Sequence, residues 1–274
     1  MAVGAHVFDV VVDGRDVASV LAARECARLG FRVALIDDPE SWMFTPEAFS
    51  HHDGVIAALC TEFGVPFEIV DQDPSNLNVA GVPGNPFNPR VRALTGWSGA
   101  WRAYADRVRP LLQIGTEPNF GALVTKRLGA RLRDALVVPE LTRLYGIESA
   151  DVDVTEVASG LNAAMSRVGS LTAGVLELIA DEPRWAQEVV ITGGTKVLLD
   201  ALDVAAEYFA VQRVTRERAE TITATVWMLD VATTPEQPSW QRAILRAREA
   251  ASAARVTLLS NPDNPPVGPI DLAE

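Results

Sequence analysis

The sequence contains little cysteine, little lysine and no long apolar run. Its 274 residues include two cysteines, Cys26 and Cys60, which we predict to lie on helices. Free core thiols are therefore expected rather than a disulfide framework, as in a cytoplasmic protein. No apolar run approaches the length of a membrane span, and no signal-peptide pattern precedes the first strand. We expect a soluble protein located in the cytoplasm, without membrane insertion.

Positive charge is also scarce. The chain has 24 basic and 36 acidic residues, a formal net charge of −12, and its two lysines are Lys126 and Lys196. Nucleic acids and anionic membranes both attract positive potential, so this balance argues against either as a partner. The length of 274 residues and the hydrophobic content of 48% allow a large core in one or two domains.

The amino-terminal segment has the pattern of a βαβ unit. Residues 7–12 form a near-continuous apolar run, which is typical of a buried parallel strand. Residues 17–29 follow with helical spacing of apolar residues, Gly30 ends the helix, and residues 32–36 form a second apolar strand. Asp37 then stands where a dinucleotide-binding unit places the acidic residue that binds ribose.

The glycines of the phosphate-binding fingerprint are missing from this unit. In the best register, the three glycine positions hold Asp13, Arg15 and Ala18. An aspartate at the first position adds negative charge beside a pyrophosphate, and an arginine at the second fills its space, although a guanidinium can also clamp a phosphate. Alanine is permitted at the third position. The candidate cofactor-binding residues are Gly14, Arg15, Ala18 and Asp37. We expect no tight flavin or dinucleotide binding by them.

Two later segments extend the pattern. Residues 124–148 contain an Arg-Leu-Gly step in a predicted helix, then a proline and a Tyr-Gly turn. Residues 190–202 contain a Gly-Gly turn that opens a helix ending in Asp-Ala-Leu. In this order, the three segments resemble the flavin-dependent amine oxidase and protoporphyrinogen oxidase superfamily. The resemblance spans most of residues 7–232 and implies an α/β, Rossmann-like FAD/NAD(P)-binding fold with a largely helical second lobe.

The chain departs from that family in two further places. Family members carry a Gly-Gly-Arg motif after the second strand, whereas residues 37–45 contain neither glycine nor arginine. Family members are also much longer and return to the flavin through a late glycine-rich segment, whereas this chain stops at Glu274. We therefore expect a fold that is C-terminally truncated relative to the family and binds no cofactor, with FAD as the alternative.

The resemblance and the breaker residues together divide the chain. We predict a discontinuous Rossmann-like domain over residues 1–81 and 186–260, a helical substrate-type lobe over residues 82–185 and a proline-rich tail over residues 261–274. Residues 82–89 are rich in proline and glycine and mark the crossing between domains. Within the first domain, we predict a β-rich segment over residues 213–232 and a strand over residues 255–260.

Three aromatic residues and two histidines are the remaining candidates. Trp97, Trp101 and Tyr104 follow helical spacing, so they line an aromatic substrate pocket or form a packing stripe. His51 and His52 offer a base or a metal ligand. Adjacent side chains in a loop rarely converge on one ion, so we interpret both as surface histidines and expect no metal site.

These observations leave three functional hypotheses. The first is a cofactor-free, non-catalytic relative of flavin oxidoreductases that acts as a subunit, scaffold or regulator. A homo- or hetero-oligomer is then expected, because a shortened sheet leaves apolar surface to cover. The second is a working flavin- or NAD(P)-dependent oxidoreductase with an altered cofactor site. The third is a non-redox cyclase or isomerase that reuses the substrate cavity. We favour the first, although fold alone does not separate them.

Overall fold

The structure is a computed structural model that describes residues 7–14, 17–36, 46–108, 117–145, 148–219, 223–228, 240–260 and 269–270. The chain divides into two compact units. The first unit consists of residues 1–44 and 196–274, and the second of residues 45–195. In chain order, the second unit is therefore inserted between two parts of the first.

The strands lie in both units. Within the described residues they are, in chain order, β1 (Val7–Asp13), β2 (Val33–Ile36), β3 (Phe49–Ser50), β4 (Phe67–Asp71), β5 (Asn78–Val79), β6 (Val82–Pro83), β7 (Gln187–Ile191), β8 (Gln212–Val214), β9 (Thr223–Met228) and β10 (Pro269–Ile270).

The helices outnumber the strands. Within the described residues they are α1 (Val17–Arg28), α2 (Val55–Glu62), α3 (Pro89–Tyr104), α4 (Phe120–Leu128), α5 (Ala130–Leu132), α6 (Val138–Tyr145), α7 (Val154–Val157), α8 (Leu161–Val168), α9 (Leu171–Asp181), α10 (Thr195–Tyr208), α11 (Arg216–Ala219) and α12 (Trp240–Ser260). Short 3₁₀-helices cover Pro74–Asn76, Ala105–Val108 and Pro183–Ala186, and a π-helical turn covers Arg133–Val137.

Five parallel strands form the sheet of the first unit. Their order across the sheet is β8-β2-β1-β9-β10. Numbered by their own sequence order, these strands read 3-2-1-4-5, which is the order of the Rossmann fold. The successive residues Val10, Val11 and Val12 of β1 are fully buried. Because successive side chains point to opposite faces, both faces of β1 are covered, as its apolar sequence predicts.

Helices α1 and α12 cover part of this sheet and pack against each other. Both bury small residues, among them Ala18 and Ala22 on α1 and Ala247 and Ala254 on α12. Small side chains at a helix contact shorten the distance between the two helix axes. The alanine-rich faces of these helices therefore specify a close helix pair.

The second unit contains two small antiparallel sheets. β3, β7 and β4 form a three-stranded sheet in that order, and β5 pairs with β6. The hairpin of β5 and β6 turns through Ala80 and Gly81, whose φ values are 48° and 80°. Two successive positive φ values are those of a type I′ turn. A Cβ atom on Gly81 would lie 2.6 Å from the carbonyl oxygen of Leu136, so a side chain does not fit here.

The helical core of the second unit is built from helices α3 to α9. Its fully buried large side chains include Phe120, Leu128, Leu132, Leu141, Leu161 and Leu171. Asn88, Asn119 and Ser170 each accept a hydrogen bond from the backbone N–H three residues ahead, at the starts of α3, α4 and α9. These side chains satisfy N–H groups that the first helical turn leaves without a partner.

A buried ion pair ties three of these helices together. Asp106, just after α3, is fully buried and contacts the guanidinium of Arg127 on α4. The carboxylate of Asp106 also accepts a hydrogen bond of 2.6 Å from the backbone N–H of Leu171, the first residue of α9. Arg127 in turn donates to the carbonyl oxygen of Gly169 at 3.2 Å. The pair thus fixes the start of α9 against α3 and α4.

The structure groups some segments differently from the sequence-based division. Residues 45–81 and 186–195 belong to the second unit, because β3, β4 and β7 pair with one another and not with the parallel sheet. The strand predicted over residues 255–260 is wrong, because α12 continues to Ser260. Within the predicted tail, Pro269–Ile270 forms β10 and pairs with β9. The rest of that tail lies outside the described residues.

In the part of the chain that the structure describes, no single helix has the length and apolar composition to cross a bilayer. Helices α8 and α9 meet that test only as a pair, and the pair is bent by 114°.

We predict that Asp106→Asn lowers the free energy of unfolding by about 3–5 kcal/mol, because it leaves Arg127 buried without a counter-charge. Equilibrium unfolding in urea measures the loss. The matched control is Asp181→Asn, which removes an ion pair with Arg167 whose side chains are about half exposed. The control is expected to lose at most about 1 kcal/mol. Equal losses in the two variants would contradict the assignment of Asp106 as a core ion pair.

Candidate functional site

The carboxyl edge of the parallel sheet is where this strand order binds ligands. In doubly wound sheets, the ligand lies outside the carboxyl ends of the strands, at the point where the strand order reverses beside the first strand. Asp13 ends β1, Ile36 ends β2 and Val214 ends β8. The register pairs Asp13 with Ile36 and Ile36 with Val214, so these three ends lie side by side.

Asp13 forms a bidentate ion pair at this edge with Arg216. Nη1 of Arg216 donates to Oδ2 of Asp13 at 3.0 Å, and Nη2 donates to Oδ1 at 2.8 Å. Arg216 opens α11, two residues after the end of β8, and β2 lies between β8 and β1. Because neighbouring strands are about 4.8 Å apart, the arginine side chain crosses the carboxyl end of β2 to reach Asp13.

Gly14 makes the turn that leaves β1. Its φ is 132°, which lies in the region that favours glycine, and its N–H donates to the carbonyl oxygen of Ile36 at 3.4 Å. The strand therefore runs through the first fingerprint position, Asp13, and the tight turn comes one residue later. The hydroxyl of Ser19 donates to the carbonyl oxygen of Asp13 at 3.5 Å, which links the first turn of α1 to the end of β1.

The other predicted cofactor-binding residues divide into two groups. Ala18 is fully buried in the first turn of α1, as expected at the third glycine position, where a small residue allows close packing of helix on strand. Arg15 and Asp37 lie outside the described residues. The structure thus brings Gly14 and Ala18 to the edge and adds Arg216 to them.

The residues at this edge do not fit a dinucleotide bound in the usual manner of the fold. The pyrophosphate would lie at the amino end of α1, next to the end of β1. There the carboxylate of Asp13 repels a phosphate, and its side chain is only 17% exposed because Arg216 holds it. Arg216 also crosses the end of β2, where the ribose of such a ligand binds.

Sequence reasoning missed Arg216. The prediction of a β-rich segment over residues 213–232 is too coarse, since β8 ends at Val214 and α11 follows directly. The usable signal was the strand order itself. In the order 3-2-1-4-5, a residue just after the third strand faces the carboxyl end of the second.

The three predicted aromatic residues come together on the second unit around Phe87. The ring centroid of Phe87 lies 6.4 Å from that of Trp97, 5.1 Å from that of Trp101 and 5.2 Å from that of Tyr104. Trp97 and Trp101 are more than half exposed and Tyr104 is 37% exposed. The rings thus form a surface cluster, and their role as a substrate pocket stays a prediction.

A cavity of about 700 Å³ lies elsewhere on the second unit. Its lining comes from α4, the π-helical turn and the segment before α7, and includes Asn119, Lys126, Arg133, Asp134 and Asp151. None of the three predicted aromatic residues lines it. Charged side chains of both signs are among the residues that line it.

His51 and His52 follow β3, and His52 is more enclosed than a surface histidine. Its ring stacks on Trp185 with centroids 3.8 Å apart, and Nδ1 lies 3.1 Å from Oγ of Ser50. Its Nε2 is 3.9 Å from the carboxylate of Asp53. Burial lowers the pKa of His52, although Asp53 opposes the shift. Burial also lowers the pKa of His51.

Serine, histidine and aspartate side chains of this kind form catalytic triads, but Ser50 is only 5% exposed and a nucleophile must be reached by its substrate. Within the described residues, no group of three His, Cys, Asp or Glu side chains is placed to hold a metal ion. The expected absence of a metal site stays a prediction.

We predict that stability falls more steeply with acidification in the wild type than in His52→Phe, which keeps an aromatic ring on Trp185. Because the folded-state pKa of His52 is lowered, the unfolded chain binds the proton first. The stabilising contribution is complete above the unfolded pKa of about 6.5 and is lost as the pH falls through it. Urea unfolding between about pH 7.5 and about pH 5.5 measures both slopes.

The charged groups that face His52 are Asp53, Glu182, Arg184 and His51, and all of them remain in the variant. The difference between the two slopes therefore isolates His52. Identical slopes would show that this histidine is not held neutral by the fold.

Comparisons with known proteins return solved structures alone. Neither a protein-family model nor a curated protein sequence matches the chain. A crystal structure from Exiguobacterium sp. 255-15, provisionally named a protoporphyrinogen oxidase, matches with a TM-score of 0.52 and 15% identity over 76% of this chain and 52% of that chain. The structure of PF1083 from Pyrococcus furiosus matches with a TM-score of 0.38 and 18% identity, over 84% of this chain and 61% of that chain. The structure of putrescine oxidase bound to putrescine matches with a TM-score of 0.36 and 14% identity, over 76% of this chain and 51% of that chain.

The chain spans between about half and three fifths of the length of these structures. At 15% identity, the first match shows the fold alone. The expected fold class is confirmed: the chain is an α/β protein with a Rossmann-like sheet and a largely helical second unit. The chain shares this fold with the structure provisionally named a protoporphyrinogen oxidase.

Proposed function

We propose that the chain is a non-catalytic subunit or scaffold that keeps an oxidoreductase-like fold and binds no flavin or nicotinamide cofactor. The single observation that supports this most is the ion pair of Asp13 and Arg216 across the carboxyl edge of the sheet. It places a carboxylate where the fold holds a pyrophosphate and a side chain where the fold holds a ribose. Such a protein acts through contacts with other chains, so a homo- or hetero-oligomer belongs to the proposal.

Repulsion between the carboxylate and a phosphate supports the absence of a cofactor in energetic terms. Unit charges of the same sign about 4 Å apart repel by several kcal/mol near a protein surface, and the positive charge of Arg216 offsets part of this repulsion. Each 1.4 kcal/mol weakens binding about tenfold. The ion pair also occupies the guanidinium of Arg216, so Arg216 must turn away from Asp13 before it binds a phosphate through the same two N–H groups.

A cytoplasmic location is part of the same proposal, and the cysteines support it. Cys26 and Cys60 are both buried and free. Burial raises the pKa of Cys26 to about 12 and that of Cys60 to about 11. Thiols with such pKa values are hardly ionised at neutral pH and therefore react slowly. They are suited to packing in a reducing compartment rather than to redox chemistry.

A working oxidoreductase is the second candidate function. The match to a structure provisionally named a protoporphyrinogen oxidase favours it, and Arg216 has the donor geometry that binds a phosphate through two hydrogen bonds. FAD is the cofactor that this alternative requires. In that case, Arg216 exchanges its partner Asp13 for the ligand.

We predict that the purified wild type is colourless and shows no saturable binding of FAD or NADH. Removing the obstructing pair with Asp13→Gly and Arg216→Ala is expected to strengthen FAD binding at least about tenfold, since repulsion and steric block are both lost. Isothermal titration calorimetry and the visible absorption of bound flavin measure FAD binding by the wild type and by the double variant.

The control variant is Asp9→Gly with Arg32→Ala. Asp9 lies near the amino end of β1 and forms a similar ion pair with Arg32, the residue before β2, with Nη2 of Arg32 2.9 Å from Oδ1 of Asp9. Its loss is expected to leave FAD binding unchanged. A wild type that purifies with about one flavin per chain would contradict the proposal. A double variant at the carboxyl edge that gains no binding would show that the pair is not the obstacle.

A further inference from the structure

Four apolar side chains form an exposed row on the second unit. Trp97, Trp101 and Tyr104 lie on α3, and Val108 ends the 3₁₀-helix that follows it. Their exposed fractions are 61%, 57%, 37% and 75%. The spacing of four, three and four residues is that of one helix face that packs against another element. We call these four residues the aromatic stripe.

The direction of the aromatic stripe is set by a kink in α3. Gly96 has φ 70° and ψ 178° inside the helix, so the segment that begins at Trp97 runs in a new direction. Trp101 and Tyr104 meet edge to face, with centroids 5.7 Å apart. Large exposed apolar rows of this kind mark interaction sites, and tryptophan and tyrosine are enriched among residues that dominate binding energy.

Arginines border the aromatic stripe. The guanidinium carbon of Arg92 lies 5.0 Å from the ring centroid of Trp97, a cation–π contact. Arg131 approaches the kink, with Nη2 3.9 Å from the place where a Cβ atom on Gly96 would lie. Among the described residues, neither Arg92 nor Arg131 forms an ion pair.

Charge is divided unevenly along the chain. Residues 89–133, which include α3 and α4, contain nine basic and two acidic residues, a net charge of +7. The rest of the chain therefore carries −19, given the total of −12. The aromatic stripe thus lies in a basic segment of an acidic protein, and the remainder of a second copy carries a net charge of the opposite sign.

An acidic counter-surface with exposed aliphatic residues lies on β4. Ile69 and Val70 are 49% and 45% exposed, and the acidic side chains of Glu68 and Asp71 on either side of them are exposed as well. β4 is an edge strand, since the sheet order is β3-β7-β4.

No other strand in the described part of the chain pairs with the outer edge of β4. Thr192 N–H donates to the carbonyl oxygen of Pro66, and Gln72 N–H donates to that of Ala186. Alternate residues therefore bond to β7, and the backbone groups of Phe67, Ile69 and Asp71 point away from it. An edge of this kind accepts an approaching chain.

We propose that the aromatic stripe of one copy docks on β4 of a second copy of this chain. The tryptophan and tyrosine rings cover Val70, and the arginines beside the stripe face Glu68, which lies on the same face of β4 as Val70. This inference does not rest on the proposed lack of a cofactor, because self-association and flavin binding are measured separately.

The proposed assembly is a two-fold dimer, in which both surfaces of each copy are covered. In such a dimer, the stripe of each copy meets β4 of the other, so each chain uses one stripe and one strand. An anionic membrane is the less favoured occupant, because the net charge of −12 opposes its surface potential. An unrelated acidic protein would leave β4 exposed on this chain.

Sedimentation velocity and light scattering on the full chain test the proposal. The wild type is expected to pass from 29.5 kDa at low concentration to about twice that mass as the concentration rises. Trp97→Ser with Trp101→Ser is expected to raise the dimer dissociation constant at least about tenfold, because hot-spot residues are lost. High salt is expected to weaken the wild-type dimer, since charge pairs at the interface are screened.

A charge exchange tests which surfaces meet. Arg131→Glu and Glu68→Arg are each expected to weaken the dimer about tenfold, because like charges then face each other. The chain that carries both substitutions is expected to return to within about threefold of the wild type, since opposite charges face again. The control is Tyr208→Ser, which removes an aromatic side chain that is 83% exposed on α10. This variant is expected to have the same dimer dissociation constant as the wild type.

Circular dichroism establishes whether each variant is folded. If the tryptophan variant unfolds, the charge-exchange variants alone test whether the aromatic stripe docks on β4. A wild type that stays monomeric at all concentrations overturns the proposal. Self-association that is indifferent to both the tryptophan and the charge variants overturns it as well. A monomer that co-sediments with phosphatidylglycerol vesicles through Trp97 and Trp101 would assign the stripe to a membrane instead.

Discussion

Burial of β1 on both faces is the constraint on which the first unit depends. Val10, Val11 and Val12 are fully enclosed, and a fully buried valine contributes about 1.5–3 kcal/mol. A strand is enclosed in this way only when other strands pair with both of its edges and helices cover its faces. β2 and β9 supply the edges, and α1 and α12 supply part of the cover. β8 continues the sheet beyond β2, so the carboxyl ends of β1, β2 and β8 lie side by side. Side chains that follow these three ends are therefore close enough to contact one another.

That shared edge explains why two residues 203 positions apart form an ion pair. In a parallel sheet, strands that are far apart in the sequence end at the same edge, whatever side chains they carry there. In a cofactor-binding sheet, the same edge presents glycine and backbone N–H groups to a phosphate. Here it presents Asp13 and Arg216 to each other. The Arg216 side chain is 60% exposed, so solvent screens the pair and its contribution to stability is at most about 1 kcal/mol. The pair therefore matters less for holding the sheet than for filling the place of a ligand.

The features that the sequence predicts well are those decided by neighbouring residues. The apolar run of β1, the helical spacing of α1 and the turn at Gly30 are read locally, and the structure contains all three. Features that depend on residues far away in the sequence are not predicted by local patterns. Phe67–Asp71 forms β4, and only its pairing with β7 decides which sheet that strand joins. Val256 and Thr257 favour a strand, yet the buried alanine face of α12 continues as far as Ala254 and carries the helix through them. Arg216 escapes for the same reason, since its importance depends on strand order. The spacing of Trp97, Trp101 and Tyr104 predicts a shared face but not whether anything covers that face.

Two kinds of constraint therefore act on different residues of this fold. Burial restricts Val10 to Val12 and Ala18, because any larger or polar side chain there disturbs close packing. A ligand restricts the residues that touch it, whereas Asp13 at the end of β1 is held by its ion pair with Arg216. A chain can keep the first set and replace the second without losing its fold. The βαβ pattern of residues 7–36 is therefore strong evidence for the sheet and weak evidence for a cofactor, and only the side chains beyond the end of β1 bear on what the protein binds.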